Sequence, residues 1–265
     1  MFKIHPLYSS SSGNMFHIAS SSANILIDVG VSYKAVNEGL KSIGLTIDDI
    51  DAVFITHEHS DHVKALPLLC RKNTDKPIYA VGKTANYLIE SLTQKNIQCN
   101  ILPIKYNNSV KIKDIEIYPF ETSHDAIMPC GYKVTDNEKT VTIATDLGYI
   151  SNDVYTNLAD SDFTILEANY DDAMLEFGKY PFMLKRRIKG QHGHLSNEVC
   201  GQTIAKLANE GHSKFLLAHL SENNNTHELA LQTVESIISQ NGINLDNIEI
   251  NLASKTLCNE GYIIC

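Results

Sequence analysis

The sequence predicts an α/β fold in which β-sheets lie sandwiched between helices, and three observations carry that expectation. Strand-like and helix-like patterns alternate through both halves of the chain, as expected when each sheet covers one face with helices. With 265 residues, 43% of them hydrophobic, the chain can bury a full core, enough for one large domain or two small ones. No Pro/Gly/Ser-rich linker, heptad run or fixed-period repeat divides it, which favours one domain over 1–265. Finally, a dense group of histidines and aspartates directly follows an apolar strand near position 57. Strand-end loops are where such a site is expected.

The opening alternates β-like runs with turn residues: 2–8, 15–19 and 24–29, the last closed by Gly30. This pattern predicts an antiparallel meander, with Ser9 to Ser12 and Ser20 to Ser22 as its turns. Ser32 caps a predicted helix reaching about Ile43, whose Ala35, Val36, Leu40 and Ile43 fall near helical spacing, and Gly44 stops it. A strand over 51–56 follows. Then come a helix over 60–71, a strand over 77–81, a helix over 83–95, and strands near Ile101, over 109–113 and over 115–120. Strands over 131–134 and 140–144 precede Asp146. The remainder predicts a strand over 163–167, a helix over 196–209, a strand over 214–218, a helix over 226–241 capped by Thr226, and strands over 248–251 and 262–264.

The start, MFKIHPLYSS, lacks the basic and then apolar run of a secretory signal, and nowhere do about 18 apolar residues run uninterrupted. A soluble, cytoplasmic protein is expected, with no membrane partner. Cys70, Cys99, Cys130, Cys200, Cys258 and Cys265 are scattered without a C-x-x-C pair. They read as buried apolar thiols, neither a disulfide framework nor a cysteine zinc site. The net charge of -9 and pI of about 5.6 argue against indiscriminate nucleic-acid binding, which leaves a basic footprint. Bound cations would cancel part of that acidity, and the run Lys185-Arg186-Arg187-Ile188-Lys189 is strongly basic.

The segment His57-Glu58-His59-Ser60-Asp61-His62 delivers three imidazoles and a carboxylate directly after an apolar strand. His57 and His59, two apart in an extended turn, can point the same way, while Asp61 and His62 open the next helix and can face a second ion. So many polar groups packed together need the compensation that metal ions provide. A lone histidine would be ordinary; this group is not.

From these residues onward the sequence resembles the metallo-β-lactamase superfamily, in order along nearly the whole chain. Asp28, ending Ile25-Leu-Ile-Asp-Val-Gly30, resembles the first motif and His57 to His62 the second. His124 in Glu121-Thr-Ser-His-Asp125, Asp146 in Ala144-Thr-Asp-Leu-Gly148 and His219 in Leu217-Ala-His-Leu-Ser221 resemble the third, fourth and fifth. The resemblance implies an αββα sandwich of two mixed β-sheets flanked by helices. It also implies two divalent metal ions, one on His57, His59 and His124, the other on Asp61, His62 and His219, with Asp146 bridging. Nitrogen and carboxylate donors without thiolate suit zinc, manganese or iron. Asp28 reads as a carboxylate that fixes a ligand histidine's tautomer, or alternatively as a plain turn aspartate before glycine. Such a metal pair activates water and polarises the bond under attack, so hydrolysis needs no protein nucleophile. Asp61 then counts as catalytic as well as ligating. Members that reduce oxygen resemble H-x-E-x-D-H and carry a flavin domain; here His59 occupies that position, so redox chemistry is disfavoured.

Substrate class must come from other residues. Ser10-Ser-Ser-Gly-Asn14, Leu166-Glu-Ala-Asn-Tyr-Asp171 and Gly193-His-Leu-Ser-Asn197 resemble the bacterial YycJ/WalJ family, whose members are described as DNA exonucleases, acting 5′ to 3′ on duplex DNA. Serine at position 10 or 11 departs from that family's more glycine-rich loop. Independently, Arg186, Arg187, Lys189 and His192 precede a helix start near Ser196 and Asn197, a combination that suits a phosphodiester. The alternative is a solvated basic turn. With Asn14, these form the candidate substrate-binding set. His194 is the candidate that binds the scissile phosphate or protonates the leaving oxygen, the alternative being a hydrogen-bonded histidine at a helix start. From Asp146 to His219 is 219 − 146 = 73 residues, too few for the large inserted domain of ribonuclease J-like enzymes but enough for a small cap at about 150–195. There Tyr170, Phe177, Tyr180 and Phe182 either stack on bases or pack a core. His5, His17, His212 and His227 read as structural. The leading expectation is a DNA exonuclease. The rivals are a thioester or lactone hydrolase of glyoxalase II type and a metal-stabilised, non-enzymatic scaffold.

Overall fold

The computed structural model describes residues 1–258 and 261–264. Cys265 lies outside the described residues. The strands are β1 (Phe2–Tyr8), β2 (Met15–Ala19), β3 (Asn24–Ile27), β4 (Ala52–Ile55), β5 (Ile78–Val81), β6 (Ile101–Ile104), β7 (Val110–Ile112), β8 (Ile115–Glu121), β9 (Cys130–Thr135), β10 (Thr140–Ala144), β11 (Phe163–Glu167), β12 (Lys214–Ala218), β13 (Glu249–Leu252) and β14 (Tyr262–Ile264). The helices are α1 (Tyr33–Ser42), α2 (Ser60–Val63), α3 (Leu66–Lys72), α4 (Gly82–Thr93), α5 (Asn152–Ala159), α6 (Asp172–Phe177), α7 (Phe182–Ile188), α8 (Asn197–Asn209) and α9 (His227–Gln240). No helix among the described residues is long and apolar enough to cross a membrane.

Two seven-stranded mixed sheets form, in the orders β14-β1-β2-β3-β4-β5-β6 and β13-β12-β11-β10-β9-β8-β7. In each, an antiparallel meander passes into parallel strands, the change falling at β3/β4 in one sheet and β10/β11 in the other. The period-2 alternation of the strands divides the core. In β4, Ala52 and Phe54 face the other sheet, while Val53 and Ile55 join Val36, Leu40, Leu69 and Leu88 of the covering helices. In β12, Leu216 and Ala218 face inward, and Phe215 and Leu217 pack with Ile204, Val234 and Ile238 of α8 and α9. Strands buried on both faces read as continuous apolar runs, which is why these were visible in the sequence. The αββα sandwich is the expected one.

The differences have local causes. The expected helix over 60–71 breaks between α2 and α3, where Pro67 sits in the first turn of α3 and the Ala65 amide bonds the Val29 carbonyl at 2.9 Å. The helices α6 and α7, not called in the sequence, are short, and Leu175, Leu184 and Ile188 from them, with Tyr170 and Tyr180, form a small core of their own. The cysteines are free thiols among the described residues: Cys70, Cys130 and Cys200 are buried as expected, whereas Cys99 and Cys258 are half-buried.

His5 and His17 are structural, meeting through their Nδ1 atoms at 3.0 Å, while His17 Nε2 donates to Asn24 Oδ1 at 3.0 Å. Burial holds the His17 imidazole down to about 4, partly offset by Asn24. Because this pKa lies below the unfolded value of about 6.5, the unfolded chain takes up the proton first, and stability is lost as pH falls from 6.5 towards 4. His17 should contribute about 2 kcal/mol to the drop between pH 7 and 5. Urea unfolding of the metal-free protein at both pH values should show that difference shrinking by that amount in His17→Gln; an unchanged difference contradicts the assignment.

Candidate metal centre

The site lies where strand ends converge from both sheets. Asp28 follows β3, His57 to His62 follow β4, His124 follows β8, Asp146 follows β10, Glu167 ends β11 and His219 follows β12. Three of these residues hold left-handed backbone conformations: Asp28 at φ 61°, Asp146 at φ 58° and His219 at φ 57°. Outside glycine such a conformation costs about 1–2 kcal/mol per residue, and its concentration here marks a site that the surrounding fold holds in place. Gly30 sets the approach of the first loop. Its amide bonds the Asn14 carbonyl at 2.8 Å, and a Cβ at this position would stand 1.5 Å from the Asp61 carbonyl oxygen. Only glycine lets the Asp28-Val-Gly turn and the His57–His62 loop touch.

Four overlapping groups of ligand-type atoms result, the atoms of each within 4.8 Å of one another: His57, His59 and His124; Asp61, His62 and His219; His57, His62 and Asp146; and Asp146, Glu167, His194 and His219. Asp146 stands between the first two. Its Oδ1 is 3.6 Å from His124 Nε2 and 3.6 Å from His219 Nε2, and its Oδ2 is 3.4 Å from His62 Nε2. The structure thus brings together all seven residues that the resemblance named as ligands.

Behind the imidazoles stands a layer of acceptors that fixes each ring. Asp28 Oδ2 lies 2.7 Å from His62 Nδ1, and the same carboxylate accepts from the Thr56 amide at 2.8 Å and hydroxyl at 2.9 Å. The carboxylate therefore occupies the expected orienting position. The Gly193 carbonyl accepts from His124 Nδ1 at 3.0 Å. Sequence reading missed Glu167, which is fully buried. Its Oε1 accepts from His219 Nδ1 at 2.8 Å and His194 Nδ1 at 2.7 Å, and its Oε2 from the Leu147 and Leu195 amides at 2.8 and 3.2 Å. It lies in the stretch Leu166-Glu-Ala-Asn-Tyr-Asp171, whose family likeness was noted without a role for the glutamate that closes the apolar run Phe163-Thr-Ile-Leu-Glu167. Asn169, donating to the His219 carbonyl at 2.8 Å, was missed as well.

Charge and hydrogen bonding both fit a bound cation. His57 Nε2, His219 Nε2 and Asp146 Oδ2 are buried without hydrogen-bond partners, a costly condition unless something else satisfies them. Burial and the neighbouring His62 push the His57 imidazole well below its ordinary pKa. At His62 burial acts in the same sense, but the Asp28 and Asp146 carboxylates prevail and raise it. His219 is likewise lifted to about 10, against burial, by Asp146, Asp61 and Glu167. At both rings the surrounding carboxylates therefore favour positive charge.

The other expected residues separate. His194 borders the cluster, its Nδ1 3.7 Å from Asp146 Oδ1. Its ring helps line a cavity of about 220 Å³ with His59, Asp61, Tyr180 and Arg187. Arg186 is exposed and has no acidic partner among the described residues. Arg187 is held by Asp125, with Nη2 to Oδ1 at 3.0 Å, and Lys189 by Asp172 and Glu176, both at 3.2 Å. His192 is exposed. The expectation that Ser196 and Asn197 face substrate is corrected by their surroundings, since both are buried. Ser196 Oγ caps α8 by accepting from the Val199 amide at 3.2 Å, and the Asn197 amide group pairs with Asn225 at 2.8 and 2.9 Å. Asn14 is also buried, donating to the Ser10 carbonyl at 2.9 Å with its Nδ2 3.2 Å from His62 Nε2. It braces the serine loop instead of lining the cavity.

A family model described as a β-lactamase superfamily domain matches residues 23–220, and the chain belongs to that superfamily. It is 35% identical over 240 residues to the exodeoxyribonuclease YycJ of Bacillus anthracis, with 89% of each chain covered. It is also 35% identical to the exodeoxyribonuclease WalJ of Streptococcus pneumoniae, covering 90% of this chain and 89% of that one. Within the superfamily it belongs to the YycJ/WalJ family. In structure it is similar to the metallo-β-lactamase fold protein YhfI of Bacillus subtilis, with a TM-score of 0.70, 16% identity and 98% of each chain covered. The fold implies divalent metal ions, and the His/Asp clusters described above could bind them.

Removing an outer carboxylate that orients a ligand typically costs 10- to 100-fold in metal affinity. Glu167→Gln should weaken zinc binding by about that factor in calorimetric titration of the metal-free protein, with the fold intact by circular dichroism. Parental affinity would show that Glu167 orients nothing.

Proposed function

We propose that the chain is a DNA exonuclease that hydrolyses phosphodiester bonds with two divalent ions. His57, His59 and His124 would hold one and Asp61, His62 and His219 the other, with the Asp146 carboxylate within reach of both sets. The observation that carries this reading is the pair of ligand-atom clusters on either side of Asp146. Likeness to exodeoxyribonucleases over nine-tenths of the chain supports the choice of substrate. When bound, zinc, manganese or iron would supply Lewis acidity and activate water as the nucleophile near neutral pH. Residues 1–265 act as one catalytic domain, with the α6–α7 segment as its cap.

The protein's own groups do the rest. Asp28 and Glu167 hold His62 and His219 in the tautomer that turns Nε2 to the site. Asp61, partly exposed in the cavity and held below the usual carboxylate range by His219 and His62 against burial, stays anionic and can orient water. His194 is the acid. Against burial, the Glu167 carboxylate, which accepts from its Nδ1 at 2.7 Å, raises its affinity for a proton, which suits a group that donates to the leaving oxygen. Arg186 on the exposed side of the cap offers a guanidinium to a backbone phosphate.

Metal-loaded protein should shorten labelled duplex DNA from an end, and EDTA should abolish this; cleavage of a thioester panel with DNA untouched would reverse the substrate assignment. His194→Ala should lose about 10²- to 10⁴-fold in turnover while elemental analysis finds the parental metal content. Loss of one ion per chain would instead make His194 a ligand. Arg186→Ala should reduce the slope of log K against log salt by about 0.9 on duplex DNA; an unchanged slope removes Arg186 from the interface.

A further inference from the structure

Beside the metal cavity, sharing Tyr180 with it, is a second depression of about 510 Å³, walled by Phe177, Gly178, Lys179 and the loop 222–224. Tyr180 lines both spaces, and the chain passes from Ser221 in the first to Glu222 in the second. Three features here lack a function within the fold. The Phe177 ring, at the end of α6, is 87% exposed although the cap core lies alongside. Asn224 is 1% exposed, yet its Oδ1 accepts no hydrogen bond, a condition that buried acceptors rarely keep. Lys179 is exposed with no acidic partner among the described residues. The carboxylate of Glu222 faces the same space but is engaged, accepting from Ser12 Oγ at 2.7 Å and lying 3.7 Å from Lys255 Nζ.

An aromatic face, an open acceptor and a free cation, placed beside the hydrolytic cavity, together match a nucleotide. We propose that this depression is a nucleobase subsite holding one base next to the scissile phosphate. The base stacks on Phe177, its edge N–H donates to Asn224 Oδ1, and Lys179 meets the adjoining phosphate. The inference rests on the DNA reading above and deepens it. Each of the four bases carries an N–H on its pairing edge, so the subsite accepts any base. Engaging that edge requires the base to be unpaired, so the terminal pair must open before cleavage, which costs least at a frayed or mismatched end.

The test uses the metal-loaded full chain and duplexes that differ only in an abasic sugar at one or the other nucleotide flanking the scissile bond. The parental protein should show KM raised at least about fivefold by the abasic sugar at one of these positions. Phe177→Ala should raise KM for intact DNA to a similar level and erase the difference between intact and abasic substrates, with metal content unchanged. Phe177→Tyr, which keeps the ring, should restore the difference. If the parent shows no abasic penalty, or Phe177→Ala retains it, the subsite is wrong while the nuclease reading stands. If the parent cleaves no DNA but hydrolyses thioesters with its metals in place, both fall together.

Discussion

Three buried carboxylates, Asp28, Asp146 and Glu167, and the partly exposed Asp61 meet the imidazoles of His62, His124, His194 and His219 at one edge of the sandwich, and the balance of charge there governs the rest of the structure. Isolated charges in such a place would be neutralised or expelled. Here they are tolerated because each carboxylate touches at least one imidazole. The same carboxylates that raise the proton affinity of His62 and His219 also favour a bound cation, so metal ions and protons compete for these rings and metal affinity should fall in acid.

Holding that balance requires backbone geometry that strands do not provide unaided. Asp28, Asp146 and His219 all leave their strands in the left-handed region, turning their side chains back over the sheet edge. Aspartate and histidine tolerate this conformation better than branched residues, but strain on the order of 3–6 kcal/mol across the three positions must be offset elsewhere. The fully buried strands that precede these turns, β3, β10 and β12, with Leu26, Ile143 and Leu216 among their residues, are the part of the molecule able to offset it. The cores on both sides of each sheet thus stabilise the site as well as the fold.

This division explains what the sequence could reveal. Strands buried on both faces appear as unbroken apolar runs, and the turn after each is a natural place for polar residues; hence β4, β10, β11, β12 and most of the ligand-type residues were legible. Glu167 was not, because a single glutamate ending a strand looks like any exposed strand end, and only the convergence of His194 and His219 on one carboxylate gives it meaning. Ser196 and Asn197 failed in the opposite way. Their polarity suggested contact with substrate, whereas the helix needed a cap and the Asn225 loop needed a partner. The helices α5, α6 and α7 were invisible for a third reason: with 8, 6 and 7 residues they span about two turns each, too short for a helical period to show.

The cap differs from the rest in how firmly it is held. Its core is a handful of residues around Tyr170, Leu175 and Ile188. Its connection to the His124 loop includes the Arg187–Asp125 pair, whose side chains are 54% and 32% exposed. A pair so exposed contributes little, about 0–1 kcal/mol, and weakens with salt. The floor of the cavity, by contrast, is locked by buried hydrogen bonds from Asp28, Glu167 and Gly193. The α6–α7 segment is thus attached by fewer and more exposed contacts than those that hold the ligand-type residues, so a stabilised cavity floor does not depend on it.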